Sequence, residues 1–265
     1  SGIAFSIDPV TNDKNKIIIE AIFGLGEYIV GGKVTPDHYE VDKRSLLILK
    51  KEVKHQSVKL IKSGKKNKEI KLTKKEASLQ KISDEEIIKI TFLVRDIERH
   101  YYFPQDIEWA IEKDQVYIVQ SRPITTIKDK KTLTLDSFNN ANIAPILIGS
   151  PASPGLAIGP VKIVNTPNEL YKIKAGDVLV APLTNPDYVP AMKKASAIVT
   201  EKGGRTSHAA IVSRELGIPA VVGAEKATKI LKNEMIVTVN GLTGEIFKGK
   251  VMSSSSVNED DFHQK

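Results

Sequence analysis

The sequence predicts a mixed α/β (α+β) protein made of more than one domain. Its 265 residues suffice for two domains that each bury a core of their own. Short apolar runs typical of strands alternate with stretches of helical periodicity on both sides of residues 128–145. That segment is polar and carries no hydrophobic stripe, as expected of a linker. We therefore predict domains over 1–127 and 146–250, with a polar tail over 251–265.

The composition narrows the class of protein. Apolar residues make up 41% and charged residues 27% of the chain, which is typical of a globular protein. No apolar run approaches the roughly 18 residues of a membrane span, so we expect no membrane partner. The chain has no cysteine, which excludes disulfides and thiolate zinc sites and suits a reducing cytoplasm. Because it opens directly on an apolar pattern at Ser1, we expect a fragment of a longer protein.

The first domain is predicted to begin with strands and to end with a helix and a hairpin. The run Ile17–Ile19 indicates a buried strand, and glycines at positions 24, 26, 31 and 32 indicate turns. Their spacing is not G-x-G-x-x-G, so a dinucleotide-binding fold is not indicated. Ser83 and Glu86 match a capping box that begins a helix, which Pro104 ends. The buried stripe of this helix is predicted at Ile87, Ile90, Val94 and Ile97.

The net charge of +7 is not spread evenly along the chain. Residues 43–75 hold thirteen Lys and Arg against Glu52 and Glu69 only. A nucleic-acid surface is one interpretation of such a stretch. Alternating apolar residues favour hairpin strands with lysines on the solvated face, and no aromatic residue is interleaved for base stacking. We favour the solvated face and expect no nucleic-acid partner.

The second domain is predicted to contain short strands, a short helix and a longer helix. The runs GLAIGPVKIV, DVLVAP, SAIVT, AVVG and MIVTVNGLTGEIF predict strands, and TNPDYVPAMKKA predicts a turn entering a short helix. A helix is predicted over His208–Leu216, with Gly217 at its C′ position and Pro219 just beyond. Asn240 and Gly241 supply a turn between the last strands.

A glycine loop leads from SAIVT into this helix and makes His208 a candidate functional residue. Gly203 and Gly204 allow a sharp turn, and Thr206 or Ser207 is expected to cap the helix. His208 then lies in the first turn, where unpaired amides and the helix dipole favour an anion. The same environment disfavours an imidazolium ion and keeps the ring nucleophilic near neutral pH.

Arg205 adds a bidentate phosphate donor to the loop, so the pattern suits a phosphoryl carrier. Two other roles stay open on local grounds, a histidine that merely caps or packs and a metal ligand. Metal binding is the weaker of the two, because the remaining histidines, at positions 38, 55, 100 and 263, show no paired ligand spacing.

A hairpin is predicted for PQDIEWAIEKDQVYIVQSRP, with polar side chains on one face. A three-residue loop at Lys113–Gln115 would set Glu108 opposite Gln120 and Asp106 opposite Arg122. That face would carry two oxygen ligands suited to Mg²⁺ and a guanidinium suited to a polyphosphate. A slip of one residue would destroy the arrangement, and an ordinary amphipathic hairpin has the same charge pattern.

Several of these stretches resemble one known family over nearly all of residues 1–250. GGRTSHAAIVSRELGIPAVVG resembles the phosphohistidine signature of the phosphoenolpyruvate-utilising family, which includes phosphoenolpyruvate synthase, pyruvate phosphate dikinase and enzyme I of the sugar phosphotransferase system. SPASPGLAIGPV and NGLTGEIFKG resemble the flanks of its swivelling domain. DIEWAI, VYIVQSRPIT and the upstream run SGIAFSIDPVTNDKNKIIIEAIFGLGEYIVGGKVTPDHYEV resemble parts of its ATP-grasp domain, which enzyme I lacks. The signature is more similar to the synthases than to the phosphate-dependent dikinases.

The resemblance implies a fold and a carrier. The fold is the C-terminal part of an ATP-grasp nucleotide-binding domain followed by a swivelling β/β/α phosphohistidine domain. His208 would be the tele-phosphohistidine that carries a phosphoryl group between two active sites. Arg205 and Thr206 match the positions that contact this phosphoryl group.

The resemblance also implies a nucleotide site. Glu108 and Gln120 would hold Mg²⁺, Arg122 would bind the transferring phosphates of ATP, and Glu27 would contact the nucleotide. The implied reaction of the whole enzyme, pyruvate, water dikinase, converts ATP, pyruvate and water into AMP, phosphoenolpyruvate and phosphate. The first half of the ATP-grasp domain would precede Ser1, and the barrel that binds pyruvate and phosphoenolpyruvate would follow Lys265. A cytoplasmic enzyme that forms homo-oligomers fits these expectations.

Three alternatives stay open. A pyruvate, phosphate dikinase would use orthophosphate in place of water, and a non-catalytic nucleotide-binding or phosphocarrier module would keep the fold without turnover. A related phosphotransferase acting on an antibiotic usually carries its acceptor domain between the two domains found here. The short linker at 128–145 argues against that arrangement.

Overall fold

The computed structural model describes residues 1–124 and 143–251, and these form two large β-sheets and a separate hairpin. Residues 252–265 of the predicted tail and residues 128–142 of the predicted linker lie outside the described residues. Mixed helices and strands confirm the α/β class expected from the sequence. Within the described ranges, no helix is long and apolar enough to cross a membrane.

The first sheet has six antiparallel strands in the order β4-β3-β2-β1-β7-β8, and β5 and β6 form the separate hairpin. The elements of residues 1–124 are β1 (Gly2–Phe5), β2 (Lys16–Ala21), α1 (Glu27–Val30), β3 (Asp37–Asp42), β4 (Ile48–Glu52), β5 (Val58–Ser63), β6 (Lys66–Lys71), α2 (Lys74–Ala77), α3 (Asp84–Tyr101), β7 (Gln105–Glu112) and β8 (Gln115–Pro123).

Helix α3 covers one face of this sheet, as its sequence pattern predicts. The capping box of Ser83 and Glu86 is present, with both reciprocal hydrogen bonds formed. The predicted stripe packs into a core with Tyr39 and Trp109 of the sheet, each buried isoleucine contributing about 1.5–3 kcal/mol. The helix ends at Tyr101, and Tyr102 takes the left-handed conformation two residues before Pro104. With this face covered, the opposite face of the sheet carries the polar residues.

A buried ion pair joins β3 to the segment that follows the basic hairpin. Nζ of Lys81 lies 3.0 Å from Oδ1 of Asp37, and neither side chain is exposed. Asp37 also accepts hydrogen bonds from the amides of Lys54 and Lys81 and from the Tyr39 hydroxyl, at 2.8–2.9 Å. Such a pair is tolerated in a protein interior because every remaining lone pair is satisfied.

Substitution of Asp37 by alanine is expected to reduce the free energy of unfolding of the first sheet by about 3–5 kcal/mol, because the Lys81 ammonium would remain buried and unpaired. Urea denaturation followed by Trp109 fluorescence measures the effect. Lys51→Ala, which breaks the exposed pair with Asp84, is the control and should change stability by about 0–1 kcal/mol. Equal effects of the two substitutions would contradict this account.

The second sheet has eight strands in the order β10-β14-β13-β12-β11-β15-β16-β9. The elements of residues 143–251 are β9 (Leu147–Ile148), β10 (Ser150–Ser153), β11 (Leu156–Ile163), β12 (Val178–Ala181), α4 (Val189–Met192), β13 (Ala197–Thr200), α5 (His208–Leu216), β14 (Ala220–Val222), α6 (Ala227–Ile230), β15 (Ile236–Asn240) and β16 (Glu245–Lys248).

The middle of this sheet is parallel and covered on both faces. Strands β11, β12, β13 and β14 pair in parallel, and β12 and β13 are buried along their whole length. Helix α5 packs on one face through Ala209 and Ala210, and α6 packs on the other through Ala227. Burial on both sides explains why VLVA and AIVT read as continuous apolar runs rather than as alternating ones. Gly217 adopts the predicted left-handed C-cap conformation and ends α5.

Candidate functional site

The face of the first sheet opposite α3, which we call the open face, carries two rows of side chains that run across the strands, and most of these side chains are buried. Directly paired residues of antiparallel strands share a face, so register defines each row. One row is His38, Glu20, Ile3, Glu108 and Gln120. The next row is Glu40, Ile18, Phe5, Asp106 and Arg122. The face therefore gathers carboxylates, an amide and a guanidinium around an apolar centre.

The cross-strand pairs predicted for the hairpin are present, although the predicted loop is wrong. Glu108 pairs with Gln120, and Asp106 pairs with Arg122. The turn has two residues, Lys113 and Asp114, both at positive φ, and not the three-residue loop expected at Lys113–Gln115. A register shift between Glu108 and the next residue adds one residue on the β8 side, which restores the expected pairing.

Glu108 and Gln120 have the chemistry of a magnesium site that is shared with a ligand. Both side chains reach solvent on the open face, and neither makes a hydrogen bond or ion pair within residues 1–124 or 143–251. No cluster of three or more His, Asp or Glu side chains suited to a metal occurs among the described residues. Mg²⁺ commonly takes one or two protein oxygens and completes its shell with phosphates and water. The two residues fit that donor set.

Arg122 faces a cleft of about 130 Å³ between the first sheet and helix α5. Its Nε and Nη2 both approach Oδ2 of Asp106, at 2.9 and 2.7 Å. Burial raises the pKa of the Asp106 carboxyl, and the Arg122 guanidinium opposes that shift. The α5 side of the cleft is lined by Ile211, Arg214 and Glu215. Arg122 of the hairpin therefore borders the same cleft as α5, the helix that begins at His208.

Arg214 was not predicted from the sequence, and it lies on the opposite wall of the cleft from Arg122. Its Nη1 donates a hydrogen bond to the carbonyl of Ala152 at 2.9 Å, and its guanidinium lies 5.9 Å from the centre of the Phe5 ring. Burial lowers the pKa of Arg214 to about 10, so the side chain stays charged at neutral pH. Two guanidinium groups therefore border one cleft between the sheets.

The loop Gly203–Ser207 ends where helix α5 begins at His208. The side-chain cap predicted for this helix is absent. Ser207 occupies the N-cap position, but its hydroxyl donates to the Gly204 carbonyl at 2.8 Å and accepts no helix amide. Thr206 donates its hydroxyl to Glu20 instead. The expectation that one of these hydroxyls caps α5 is therefore wrong, and the amides of the first turn keep their capacity for an anion.

His208 is oriented by a residue that sequence reasoning missed. Its Nδ1 lies 2.9 Å from the hydroxyl oxygen of Thr184, which is buried in the loop after β12. Nε2 has no hydrogen-bond partner among the residues that the structure describes. Partial burial lowers the pKa of the His208 ring, so the neutral form persists below its usual titration range. If Nδ1 carries the proton and donates to Thr184, the lone pair that remains on Nε2 is the nucleophile.

Arg205 and Thr206 fasten the loop to the open face of the first sheet. The Arg205 amide donates to Oε1 of Glu20 at 2.7 Å, and the Thr206 hydroxyl donates to Oε2 at 2.7 Å. The Arg205 guanidinium forms an ion pair with Asp8 at 3.2 Å and lies 3.7 Å from Glu40. All of these groups are buried, so the contact is a desolvated polar interface between the sheets.

The remaining predicted residue, Glu27, lies apart from this interface. It is exposed at the start of α1, and its Oε1 accepts a hydrogen bond from Asn67 of the basic hairpin at 2.8 Å. In the same hairpin Glu69 accepts hydrogen bonds from Lys33 and from the Tyr28 hydroxyl. Most of the hairpin lysines are exposed.

On the expectation that His208 carries a phosphoryl group, Thr184→Val should lower the rate of its phosphorylation by about tenfold, because the ring loses the partner that selects its tautomer. Thr184→Ser keeps the hydroxyl and should restore most of the rate. Initial rates of phosphate incorporation measure both. If valine and serine gave equal rates, Thr184 would have only a packing role.

The pyruvate phosphate dikinase AMP/ATP-binding domain family matches residues 1–140, and the mobile domain of the PEP-utilising enzymes matches residues 173–244. The first match contains the row with Glu108 and Gln120, and the second contains the loop and His208.

Three similar proteins are named phosphoenolpyruvate synthase. The chain is 48% identical over 263 residues to the phosphoenolpyruvate synthase of Pyrococcus furiosus, which covers 96% of the chain and 32% of that protein. It is 40% identical over 295 aligned residues to the synthase of Aeropyrum pernix and 38% identical over 267 to that of Pseudomonas aeruginosa, covering 36% and 34% of those proteins. The chain thus spans about a third of these relatives. Since the first family matches more than half of its residues, the chain belongs to the family of the pyruvate phosphate dikinase AMP/ATP-binding domain, joined here to a PEP-utilising mobile domain.

Proposed function

We propose that this chain is the part of a phosphoenolpyruvate synthase that loads a phosphoryl group from ATP onto His208. The observation that carries the proposal is the contact of the loop Gly203–Ser207 with the open face of the first sheet. In this arrangement helix α5, which begins at the candidate nucleophile His208, lies beside the cleft that Arg122 borders. In-line phosphoryl transfer requires such an approach.

The architecture that we propose has two domains. Residues 1–127 form the C-terminal part of an ATP-grasp nucleotide-binding domain, residues 128–145 a linker, and residues 146–250 a swivelling phosphohistidine domain. The two sheets and their separate helices support this division. A mobile second domain would carry His208 from the nucleotide to a distant pyruvate site on a longer protein, as the one-third coverage of the relatives suggests.

We assign the following roles to the side chains. Glu108 and Gln120 would hold Mg²⁺, which neutralises charge on the phosphates when it is bound. Arg122 would bind the transferring phosphates through its planar donor pair once a ligand competes with Asp106. Thr184 holds the ring of His208 so that Nε2 faces the substrate. We assign Glu27 a nucleotide contact from outside this cluster.

The proposed reaction has three steps. The Nε2 lone pair of His208 forms a bond to the β-phosphorus of ATP while the bond from that phosphorus to the α,β-bridging oxygen breaks, and AMP leaves. A water oxygen then forms a bond to the terminal phosphorus while the bond from that phosphorus to the remaining bridging oxygen breaks, so orthophosphate and a proton leave and a phosphoryl group stays on Nε2. Pyruvate loses a C3 proton to solvent to give its enolate. The enolate oxygen forms a bond to the phosphorus while the Nε2–phosphorus bond breaks, which yields phosphoenolpyruvate and the free ring of His208. We place this chemistry in the cytoplasm, which the lack of cysteine suits.

Incubation of the full-length protein with Mg²⁺ and ATP labelled in the γ-phosphate tests this function. With pyruvate present, the label should appear in orthophosphate and phosphoenolpyruvate should accumulate without added phosphate. A requirement for phosphate, with the label in pyrophosphate, would instead identify a phosphate-dependent dikinase. Protein that neither consumes ATP nor accepts phosphate would be a non-catalytic module.

A further inference from the structure

Glu20 makes an unusual set of contacts for a residue of an apolar strand. It interrupts the run KIIIEA in β2 and is only 1% exposed. Its two carboxylate oxygens accept three hydrogen bonds, from the amide of Arg205 and from the amide and hydroxyl of Thr206, at 2.7, 3.2 and 2.7 Å. All three donors belong to the loop Gly203–Ser207, more than 180 residues away along the chain.

The first sheet offers Glu20 no comparable partner. Nδ1 of His38 in that sheet lies 4.0 Å from Oε1 of Glu20 and makes no hydrogen bond among the described residues. A buried carboxylate is costly unless donors satisfy it. The position of Glu20 is therefore explained by contact between the two sheets and not by the stability of the first sheet alone.

The loop is shaped to admit this carboxylate. A Cβ atom at Gly204 would lie 2.7 and 2.8 Å from the oxygens of Glu20 and 2.5 Å from Cγ of Pro36. Gly223 makes a similar close approach, since a Cβ there would lie 3.2 Å from Cγ2 of Thr35. Any side chain at Gly204 would separate the surfaces, so both sides of the contact are complementary in shape as well as in charge.

The donors that Glu20 occupies are also anion donors beside the candidate carrier. Two backbone amides and a hydroxyl, directly before a nine-residue helix, suit a phosphate as well as a carboxylate. Accepting the proposed function, we infer that Glu20 is a positioning residue that holds the His208 loop on the nucleotide face and competes for its donors with a phosphoryl group on His208. Loading of His208 then releases the loop, because two anions cannot share the same donors.

Distance measurements between spin labels test the holding contact without relying on catalysis. The chain has no cysteine, so Leu47→Cys and Tyr171→Cys provide unique labels at side chains that are 64% and 80% exposed. We expect one narrow distance in the otherwise unaltered chain. Glu20→Gln should lower the ratio of docked to undocked molecules at least about tenfold, a change of about 1.4 kcal/mol, since its amide N–H₂ faces donors.

Glu112→Gln is the matched control, because Glu112 is an exposed carboxylate at the end of β7, away from the loop. It should leave the distance distribution unchanged. A Glu20→Gln distribution identical to that of the control would overturn the proposal.

Chemical phosphorylation tests the competition. Phosphoramidate transfers its phosphoryl group to imidazole nitrogen with loss of ammonia, so it can load His208 without ATP. The treated chain should shift to the broad distribution of Glu20→Gln, and His208→Ala treated in parallel should keep the narrow one. A narrow distribution in a chain shown to carry phosphohistidine would refute the competition.

Kinetics of the full-length protein separate a positioning role from nucleotide binding. Glu20→Gln should slow ATP-dependent labelling of His208 about tenfold or more while leaving the KM for ATP unchanged. Labelling from phosphoenolpyruvate, at the other site, should be spared. A raised KM for ATP with a normal maximal rate would make Glu20 a nucleotide ligand and overturn the proposal. If Glu20→Gln separated the loop from the first sheet but the unaltered protein never became labelled from ATP, the positioning role of Glu20 would stand. The proposed function would then be refuted.

Discussion

Replacing His208 with alanine should abolish ATP-dependent incorporation of phosphate, with a loss on the order of 10³-fold or more, because no other group can take over the covalent step. The fold should survive. His208 is partly exposed at the start of α5, and alanine is a favourable helix residue, so the free energy of unfolding should change by less than about 1 kcal/mol. Labelled phosphate retained with the protein on a filter measures incorporation. A urea denaturation curve measures the free energy of unfolding.

His100→Ala is the control for this substitution. His100 lies at the exposed end of α3, far along the chain from the loop, and its loss should leave labelling unchanged. The carrier role of His208 would be refuted if the alanine variant incorporated phosphate at the rate of the unaltered protein.

Arg122→Lys should lower the rate of ATP-dependent labelling by about 10²–10³-fold, the loss typical of a single transition-state donor. A lysine keeps the charge but cannot offer the two parallel N–H groups that Arg122 now directs at Asp106. Glu108→Gln, which retains the shape of the side chain, should weaken the dependence on Mg²⁺ by removing a charged ligand. Initial rates across a Mg²⁺ titration distinguish the two defects.

Transfer between phosphoenolpyruvate and His208 supplies the internal control for both variants. It takes place at the other site of the full-length protein, so its rate should be unaffected. If Arg122→Lys or Glu108→Gln impaired that transfer and spared labelling from ATP, the hairpin would not be the nucleotide site.

The parts of the fold that follow local rules were predictable. Helix α3 was predicted from its capping box and its stripe, and α5 from His208 to Gly217, because caps and 3.6-residue periodicity are local signals. The pairing of Glu108 with Gln120 was also predicted, but through the wrong turn. Two compensating features, a two-residue turn and a bulge, produce the same register as one longer loop.

The contacts between the sheets were not predictable from one sequence. Glu20 accepts its hydrogen bonds from the loop of the second sheet, and Arg214 meets the Phe5 ring of the first sheet. Neither residue lies in a short pattern that indicates a partner distant in the chain. A charged residue inside the run KIIIEA was the available signal for Glu20, since an isolated charge in a buried strand requires a partner. No sequence pattern indicated that Thr184 would contact His208, because a threonine in a loop after a strand is common.

The position of the phosphoryl group on the His208 ring tests the central claim most directly. Because Nδ1 lies against Thr184, the account predicts that ATP loads Nε2 alone. Phosphorus NMR of the intact protein, followed by mass spectrometry of its peptides, should show a single tele-phosphohistidine at His208 that is lost in acid and survives base. An acid-stable phosphoserine or phosphothreonine at Ser207 or Thr206, or a phosphoryl group on Nδ1, would contradict the account.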